Sequence, residues 1–461
     1  MSELKKNQKF NAEIIDLSAS GNGVAKINGE AVFVPGTLPG EEIEGVVINC
    51  KSKFAIGKMQ KITRESENRV VPKCKYFLKC GGCGLQHLNY KSQLEFKREQ
   101  VERLLGGRVK VQGTFSTGEY FYRNKVAFPV SDAGEIGMYR TGTHTVVPLD
   151  DCVIGKPFAK KLLAAGKEII AGGAKIKHVL ARELSGKILI TFVTENEKNV
   201  DTRMAIKVLD NYFDDYQLNL NINTLGNNVI LSDKFVDIKG NGEIEHDALG
   251  VRVKVSNGSF FQVNEMVSEE IYRRVLQLID NNSVVVDCYS GAGLLTAILS
   301  KRAKTCYGIE IVKSAIADAD KLKAENHIYN MKNINGDCKI ELPKLATKLA
   351  KEKVNIVVDP PRKGLDKSVI LTIASAKPVR VIYISCGPAT LARDVAIFEE
   401  NGYKLVSAQT FDMFPQTPHV ETLAVLEPQS KTLPAKRKEN AAKNKYFAFY
   451  DDVKIASDDE W

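Results

Sequence analysis

Apolar and polar positions alternate in short runs along the N-terminal part of the chain. The runs predict strands at residues 10–15, 23–27, 31–34, 41–49 and 54–62, with turn residues between them. Five short strands favour a small closed β-barrel of the OB type, a fold that binds single-stranded nucleic acid. Lys51, Lys53, Lys58 and Lys61 would serve such a ligand, although nearby glutamates leave a merely solvated surface equally open.

Beyond the barrel the apolar spacing changes to a helical period, which predicts a helix over residues 90–105. The segment Tyr122-Arg123-Asn124-Lys125 then opens a predicted strand. Its basic and aromatic side chains suit phosphate contact and base stacking, but the same pattern is ordinary on an exposed strand. Residues 156–247 mix helices and strands and carry no motif that indicates a function.

The C-terminal half alternates helices with buried strands, as a mostly parallel α/β sheet does. Asn264 caps a predicted helix, and the buried strand that follows ends in Asp287. The turn after it contains Gly291 and Gly293, which permit a tight turn and close backbone approach to a nucleotide cofactor. A plain structural turn is the other interpretation of this pattern.

Acidic residues after the next two strands favour a particular cofactor. Glu310 lies 23 positions after Asp287, where it can bind ribose hydroxyls, and Asp337 lies where an adenine edge can be read. Thr296 occupies the place of the third glycine of a dinucleotide fingerprint. Its presence disfavours NAD and FAD and favours S-adenosylmethionine (SAM), which has no pyrophosphate.

A further predicted strand, at residues 354–358, is followed directly by Asp359-Pro360-Pro361-Arg362. The two prolines fix φ and make this loop rigid and ligand-facing. Enzymes that methylate exocyclic amines usually have an aromatic residue where this chain has Arg362. The motif therefore disfavours methylation of an amine and leaves a carbon target open.

Cys386 lies between an apolar run at residues 379–384 and a helix that Pro388 begins and Gly402 ends. A cysteine at a helix start faces unpaired N–H groups, whose partial positive charge favours the reactive thiolate. The pattern predicts a covalent nucleophile. A small buried hydrophobe at a strand end is the alternative.

Glu421, in His419-Val420-Glu421-Thr422, is placed at the end of the last predicted strand region. Methylation at pyrimidine C5 requires a thiolate that adds to C6 and a base that then removes the C5 proton. Cys386 and Glu421 supply these two groups. A solvated or ion-paired glutamate is the ordinary alternative for Glu421.

Composition adds little to this picture, except through cysteine. The chain has 461 residues, 44% of them apolar, and a net charge of +9 that mildly favours a polyanionic partner. Its start carries no signal-peptide segment, and no apolar run approaches the roughly 18 residues of a membrane helix, so we expect a cytoplasmic protein that does not bind membranes. Nine cysteines without a signal peptide indicate thiols, metal ligands or catalysis rather than disulfides.

Three of these cysteines, Cys74, Cys80 and Cys83, form a C-x5-C-x2-C cluster in a glycine-bearing loop. The spacing is wider than that of a usual zinc site and nearer to that of iron–sulfur loops. A zinc ion and an iron–sulfur cluster both require a fourth ligand, typically another thiolate. Cys152 is the first candidate downstream. Metal binding is therefore predicted, with a cluster or zinc as the alternatives.

Taken together, the motifs closely resemble those of the RNA (uracil-C5)-methyltransferase family, in its ribosomal RNA branch with an N-terminal TRAM barrel and a four-cysteine iron–sulfur cluster. The resemblance runs from about Lys9 to Pro428. Besides the four cysteines, its most specific pieces are residues 259–264, 287–293, 359–362, 385–386, 390–394 and 419–422.

The resemblance implies that Gln262, Tyr289, Glu310 and Asp359 contact SAM, with Asp337 near its adenine and Gly291 and Gly293 in the cofactor loop. It implies that Phe260 lies beside the target base. Arg123, in the basic and aromatic segment at 122–125, is the further predicted substrate contact. It also implies a [4Fe-4S] cluster and a flipped-out uridine in folded 23S ribosomal RNA. Gly387 stands where the family commonly has Asn, and Leu294 where a polar residue is often found.

The expected protein is a monomer of four parts: a TRAM-like barrel at 1–65, an α+β iron–sulfur and RNA-binding domain at 66–250, a Rossmann-like class I SAM-dependent domain at 251–428, and a charged tail at 429–461. The expected product is 5-methyluridine. Two alternatives stay open. One is a transfer RNA uridine methyltransferase, and the other is a non-catalytic RNA-binding factor of ribosome assembly.

Overall fold

The computed structural model describes residues 4–225 and 228–429. The N-terminal strands are β1 (Lys9–Leu17), β2 (Gly23–Ile27), β3 (Glu30–Val34), β4 (Glu42–Cys50) and β5 (Phe54–Arg64). They close into a barrel in the order β1-β2-β3-β5-β4. Alternation along each strand turns one face inward, so that Ile14, Val32 and Val47 form its core. The predicted barrel is confirmed, and each predicted strand end lies within two residues of the observed one.

The middle of the chain builds a sheet of its own. Its elements are α1 (Tyr90–Leu105), β6 (Val111–Phe115), β7 (Lys125–Pro129), β8 (Gly137–Tyr139), β9 (Val146–Pro148), α2 (Phe158–Ala171), β10 (His178–Leu184), β11 (Lys187–Thr194), α3 (Thr202–Leu209), β12 (Tyr216–Ile222), β13 (Phe235–Lys239), β14 (Ile244–Ala248) and β15 (Val251–Val255). Five of the strands pair in the order β13-β12-β11-β10-β7, and α2 and α3 pack against them.

The ends of α1 have clear local causes. The Asn89 side chain accepts a hydrogen bond from the Ser92 N–H at 2.9 Å and caps the first turn. Gly106 adopts φ of 61° and ends the helix. The predicted bounds of this helix are therefore confirmed.

The C-terminal part forms an α/β layer structure. Its elements are α4 (Glu265–Leu278), β16 (Val284–Cys288), α5 (Leu294–Ser300), β17 (Thr305–Glu310), α6 (Lys313–Glu325), β18 (Met331–Asn335), α7 (Cys338–Lys348), β19 (Val354–Val358), α8 (Lys367–Ala376), β20 (Arg380–Ser385), α9 (Pro388–Glu400), β21 (Tyr403–Phe411) and β22 (Glu421–Pro428). β16 and β19 are buried throughout, without alternation, because helices cover both faces of the sheet.

Eight strands make this sheet, in the order β18-β17-β16-β19-β20-β22-β21-β6. All neighbouring pairs are parallel except those of β22, which runs antiparallel to β20 and β21. The chain moves outward from β16 in both directions, so a crevice opens at the carboxyl ends of β16 and β19.

Strand pairing departs from the predicted domain limits in two places. β6 lies within the range predicted for the central domain, yet it pairs with β21 at the edge of the C-terminal sheet, and α1 packs beside it. β14 and β15 lie on either side of the predicted limit at residue 250, yet they pair with each other and pack against α5 and α6. The predicted tail at 429–461 lies outside the described residues except for Gln429.

A buried ion pair joins α1 to the end of β21. The Lys97 ammonium donates to the Asp412 carboxylate and to the Phe414 carbonyl, and both charged side chains are fully buried. The Tyr90 hydroxyl donates to the other Asp412 oxygen at 2.7 Å. Burial lowers the pKa of Lys97, and Asp412 opposes that shift.

None of the helices within the described ranges combines the length and apolar character needed to cross a membrane.

We expect Asp412→Asn to reduce the free energy of unfolding by about 3–5 kcal/mol, because it leaves the Lys97 charge buried without a counter-charge. Lys304→Gln, which breaks the exposed pair with Glu352, is the matched control and should cost less than about 1 kcal/mol. Urea unfolding of the two variants measures the difference. Equal midpoints would show that the buried pair does not hold α1 in place.

Candidate active site

The predicted site residues of the C-terminal half meet at one edge of the sheet. Tyr289, Glu310, Asp359 and Cys386 all lie at or just after the carboxyl ends of parallel strands. Glu421 was predicted to end a strand, but it is the first residue of β22. Because β22 is antiparallel to β20, its beginning lies beside the end of β20, where Ser385 pairs with Thr422. The reversal brings Glu421 into the electrostatic environment of Cys386.

Carboxyl groups dominate this edge. Burial raises the pKa of Asp287 and of Asp359 to about 7 in each case. Burial also raises the pKa of Glu421 well above its ordinary value, with a further contribution from Asp359. The positive charge of Arg362 opposes this shift at Glu421. A cationic ligand at this edge would favour the ionised form of these carboxyl groups.

Cys386 differs from expectation in its ionisation. Burial, followed by the charges of Glu421 and Asp359, raises the pKa of Cys386 to about 12. Arg362 and a backbone N–H lower it by less. The predicted position at the start of α9 is correct, but the expected thiolate is disfavoured, because burial and then two carboxyl groups that are distant in sequence outweigh the groups that lower the pKa.

The loop after β16 makes a tight turn whose backbone a ligand can approach closely. Tyr289, Gly291 and Gly293 have φ of 66°, 52° and 79°. A Cβ on Gly293 would lie 2.8 Å from both the Ala319 and Met331 side chains, so only glycine fits here. Tyr289 carries a side chain in the same left-handed region, a strain that recurs at ligand sites.

Glu310 and Asp337 are oriented by the backbone. The Gly291 and Val312 N–H groups donate to the two Glu310 carboxylate oxygens at 3.1 and 2.8 Å. Asp337 caps α7 and accepts from the Lys339 N–H at 2.9 Å. Both carboxylates therefore have fixed directions at the crevice.

The two predicted substrate motifs are hydrogen-bonded to each other. Asn124 donates from its backbone to the Val263 carbonyl at 2.8 Å and from its side chain to the Gln262 carbonyl at 2.9 Å. These bonds place the Arg123 backbone beside the 259–264 segment. Phe260 in that segment is 82% exposed, as a ring that stacks on a base requires.

The four predicted metal ligands come together from two segments of the chain. The charges of Cys74 and Cys152 both raise the pKa of Cys80 and of Cys83, and burial is the larger cause at each. Within the described residues, however, no group of three or more His, Cys, Asp and Glu side chains is arranged to hold a metal ion.

Amide groups face these thiols. The Gly82 N–H donates to the Cys80 sulfur at 3.4 Å. Backbone N–H groups of residues 76 and 77 lower the pKa of Cys74, and those of residues 154 and 155 lower that of Cys152. The Gln86 side chain lowers the pKa of Cys83 through a hydrogen bond. Such donors favour thiolates.

Both departures from the family pattern have a local cause. A Cβ on Gly387 would lie 2.6 Å from the Thr390 hydroxyl and 3.0 Å from the Arg362 carbonyl oxygen. The 359–362 loop therefore approaches α9 too closely for a side chain at that position. Leu294 packs against the apolar cluster of α5, α6 and β15.

Three residues at this edge were not predicted as site residues. Arg362 is the cation that opposes the raised pKa values of Cys386 and Glu421. The Thr296 hydroxyl donates to the Asp287 carboxylate at 2.6 Å. The partly buried Tyr272 has its pKa raised by burial and then by Asp359, Asp287 and Glu421. A polar group on the apolar face of α4 was the available signal for Tyr272.

Comparison with known proteins identifies the family. A model described as tRNA (uracil-5-)-methyltransferase matches residues 89–429, and a TRAM domain model matches residues 3–59. The chain therefore belongs to the tRNA (uracil-5-)-methyltransferase family.

Relatives of this methyltransferase support that assignment. An uncharacterized RNA methyltransferase of Clostridium acetobutylicum is 36% identical, over 92% of this chain and 98% of its own length. Another, of Caldanaerobacter subterraneus, is 36% identical over 93% and 100%.

A solved structure resembles this methyltransferase over nearly its whole length. The Pyrococcus abyssi tRNA (uracil-54, C5)-methyltransferase in complex with S-adenosyl-L-homocysteine superimposes with a TM-score of 0.74 at 27% identity, covering 90% of this chain and 99% of that one. The C-terminal sheet is thus a class I SAM-dependent methyltransferase fold, and the chain is a SAM-dependent RNA methyltransferase.

The buried Asp287 carboxyl makes stability depend on pH. Burial raises its pKa from 3.8 to about 7, so between these values the folded protein holds a proton that the unfolded chain has lost. Stability therefore falls as the pH rises through this interval. We expect Asp287→Asn to be more stable than the wild type at pH 8 by up to about 4 kcal/mol, with the difference vanishing near pH 4.

Urea unfolding at a series of pH values measures this difference. Thr296→Val removes a bond that lowers the pKa of Asp287, so it should move the fall in stability to higher pH. Identical pH profiles for Asp287→Asn and the wild type would contradict the protonation of the buried carboxyl.

Proposed function

We propose that this methyltransferase converts a uridine of 23S ribosomal RNA to 5-methyluridine, with Cys386 as nucleophile and Glu421 as general base. The observation that carries the proposal is the meeting of these two side chains, from β20 and the antiparallel β22, at the edge where the cofactor crevice opens. A thiol and a carboxyl on one pocket wall are what chemistry at pyrimidine C5 needs.

In the proposed reaction, the Cys386 thiol loses its proton to water, which a cationic methyl donor would favour by offsetting the charges of Glu421 and Asp359. The thiolate then adds to C6 of a uracil ring that has been flipped out of its stack. The electron pair this releases makes C5 nucleophilic, and C5 takes the methyl group. Glu421 then removes the C5 proton, the C6–S bond breaks, and the thiolate is regenerated. Burial raises the pKa of Glu421, which makes its carboxylate a stronger base for this step.

Bound SAM would supply the methyl group on a cationic sulfonium. The buried carboxyl groups of Asp287, Asp359 and Glu421 fit such a cation, because a nearby positive charge favours their ionised form. We assign its contacts to the predicted set of Gln262, Tyr289, Gly291, Gly293, Glu310, Asp337 and Asp359. Phe260 and Arg123 are assigned to the RNA.

We also propose that Cys74, Cys80, Cys83 and Cys152 hold a [4Fe-4S] cluster. Zinc would need sulfurs roughly 3.8 Å apart, given Zn–S bonds of about 2.3 Å in a tetrahedron. A cluster is larger and holds its four thiolates further apart. The amide groups that lower the pKa of each thiol, the Gln86 side chain among them, support a site for negatively charged sulfur.

We propose ribosomal RNA because the N-terminal barrel and the four-cysteine set resemble those of the ribosomal RNA branch of the family. Transfer RNA is the second candidate substrate, because the Pyrococcus abyssi structure similar to this chain is that of an enzyme named for uracil 54 of tRNA. A single assay that offers both RNAs separates these candidates.

For that assay we expect 5-methyluridine in a 23S ribosomal RNA transcript and none in transfer RNA. Cys386→Ala should lose methylation by at least about 10⁴-fold while still binding RNA, because the covalent step is removed. Glu421→Gln should still transfer the methyl group but stall as an RNA–protein adduct that survives denaturing electrophoresis. Methylation by Cys386→Ala at the wild-type rate would contradict the mechanism, and methylation of transfer RNA alone would contradict the substrate.

Anaerobically purified protein should be brown and contain about four iron atoms per chain. Cys83→Ser should lose most of this iron and its visible absorbance. Cys50→Ser is the matched control, since that thiol lies in the barrel, donates to the Leu4 carbonyl and can be replaced by a hydroxyl. Colourless protein that contains zinc would overturn the cluster.

A further inference from the structure

The segment between β21 and β22, residues 412–420, ends directly at Glu421. We infer that Gln416 in this segment is a positioning residue, which fixes Glu421 by tying the segment to the cysteine-bearing loop and to α1. The inference rests on the proposed role of Glu421 and adds a residue that no motif includes.

The backbone of Gln416 binds the cysteine-bearing loop. The N–H groups of Gly84 and Leu85 both donate to the Gln416 carbonyl oxygen, at 3.0 and 2.9 Å. Gly84 follows Cys83 directly in the chain. The loop that carries the cysteines therefore contacts the active-site segment through main-chain bonds.

The Gln416 side chain binds α1 and its surroundings. Gln93 of α1 donates to the Gln416 side-chain oxygen at 3.0 Å, and the Gln416 backbone N–H donates to the Gln93 side-chain oxygen at 3.2 Å. The Gln416 side-chain nitrogen donates to the Glu119 carboxylate at 3.2 Å. Gln416 is 1% exposed, so each of these polar groups depends on its protein partner.

The backbone at Gln416 is also constrained. Its φ is 69°, in the left-handed region that a residue with a Cβ seldom adopts. Such a conformation persists only where the surroundings hold it. The reciprocal bonds with Gln93 and the two N–H groups of the cysteine-bearing loop are those surroundings.

Only four residues separate Gln416 from Glu421, and they have little freedom. Pro418 has a fixed φ and faces Gly84, where an added Cβ would lie 3.3 Å from the proline ring. The Thr417 hydroxyl donates to the Phe414 carbonyl at 2.7 Å, and the Val420 side chain is buried in the sheet core. A displacement at Gln416 is therefore passed on to the Glu421 carboxylate.

The other end of the segment is held separately, by the buried pair of Lys97 and Asp412. That pair resists separation of α1 from the sheet, whereas Gln416 sets the path of the chain into β22. Because a general base works only within hydrogen-bond reach of its proton, a small shift of Glu421 affects proton removal more than methyl transfer.

Gln416→Asn tests this role in the full-length protein. Asn tolerates the left-handed φ but is one methylene too short to keep the bonds to Gln93 and Glu119. We expect single-turnover methyl transfer to stay within about 3-fold of the wild type. Turnover should fall about 10- to 100-fold, and the RNA–protein adduct should accumulate, as for Glu421→Gln. Gln409→Asn, on β21 and bonded to Arg274 and Gly113, is the matched control and should form no adduct.

Gln93→Met removes the same contact from the other side. It should reproduce the adduct, and the double variant should be no worse than either single one. If Gln416→Asn lowers methyl transfer and turnover equally and no adduct forms, the residue is only structural and the inference falls. If the wild type makes no 5-methyluridine in any RNA, the proposed function falls, and with it the role assigned to Glu421.

Discussion

A single antiparallel strand in a largely parallel sheet decides the geometry of the active site. Parallel strands deliver their last residues to one edge, and β22 delivers its first residue, Glu421, to that same edge. Had β22 been parallel, Glu421 would lie at the opposite end of the sheet from Cys386. The closeness of Cys386 and Glu421, the proposed nucleophile and base, is therefore a property of the sheet topology. The loop of residues 412–420 determines where Glu421 lies along the edge.

The concentration of carboxyl groups follows from this convergence. Strand ends that meet at a buried edge bring Asp287, Asp359 and Glu421 into one low-dielectric volume, where burial favours the protonated form of each and Asp359 adds to the shift at the other two. Folding with these groups together costs free energy that an apolar edge would not. Sites that bind and transform charged ligands commonly retain such a cost, because the ligand offsets it on binding.

The features that were predictable from sequence depend on local pattern. Alternation defined the barrel strands, Asn89 and Gly106 defined α1, and the position of Glu310 followed from a strand and a glycine turn. The features that were missed depend on distant partners. β6 looks like an isolated short strand until β21 pairs with it, and nothing near Cys386 in the chain shows that Glu421 and Asp359 will raise its pKa. Thr296 was interpreted as a missing glycine because its partner, Asp287, is defined only by the folded turn.

The edge strand β6 has a consequence for synthesis of the protein. The hydroxyls of Thr114 on β6 and Thr410 on β21 lie 2.8 Å apart but are separated by 296 positions. At about 5–20 residues per second, a ribosome needs roughly 15–60 s to make the intervening chain. During that time β6 and the apolar face of α1 have left the exit tunnel without the sheet they belong to. The N-terminal half of the nascent chain thus carries an unpaired strand edge that is covered only when the last strands appear, and this interval is when the protein is most exposed to aggregation and to chaperones.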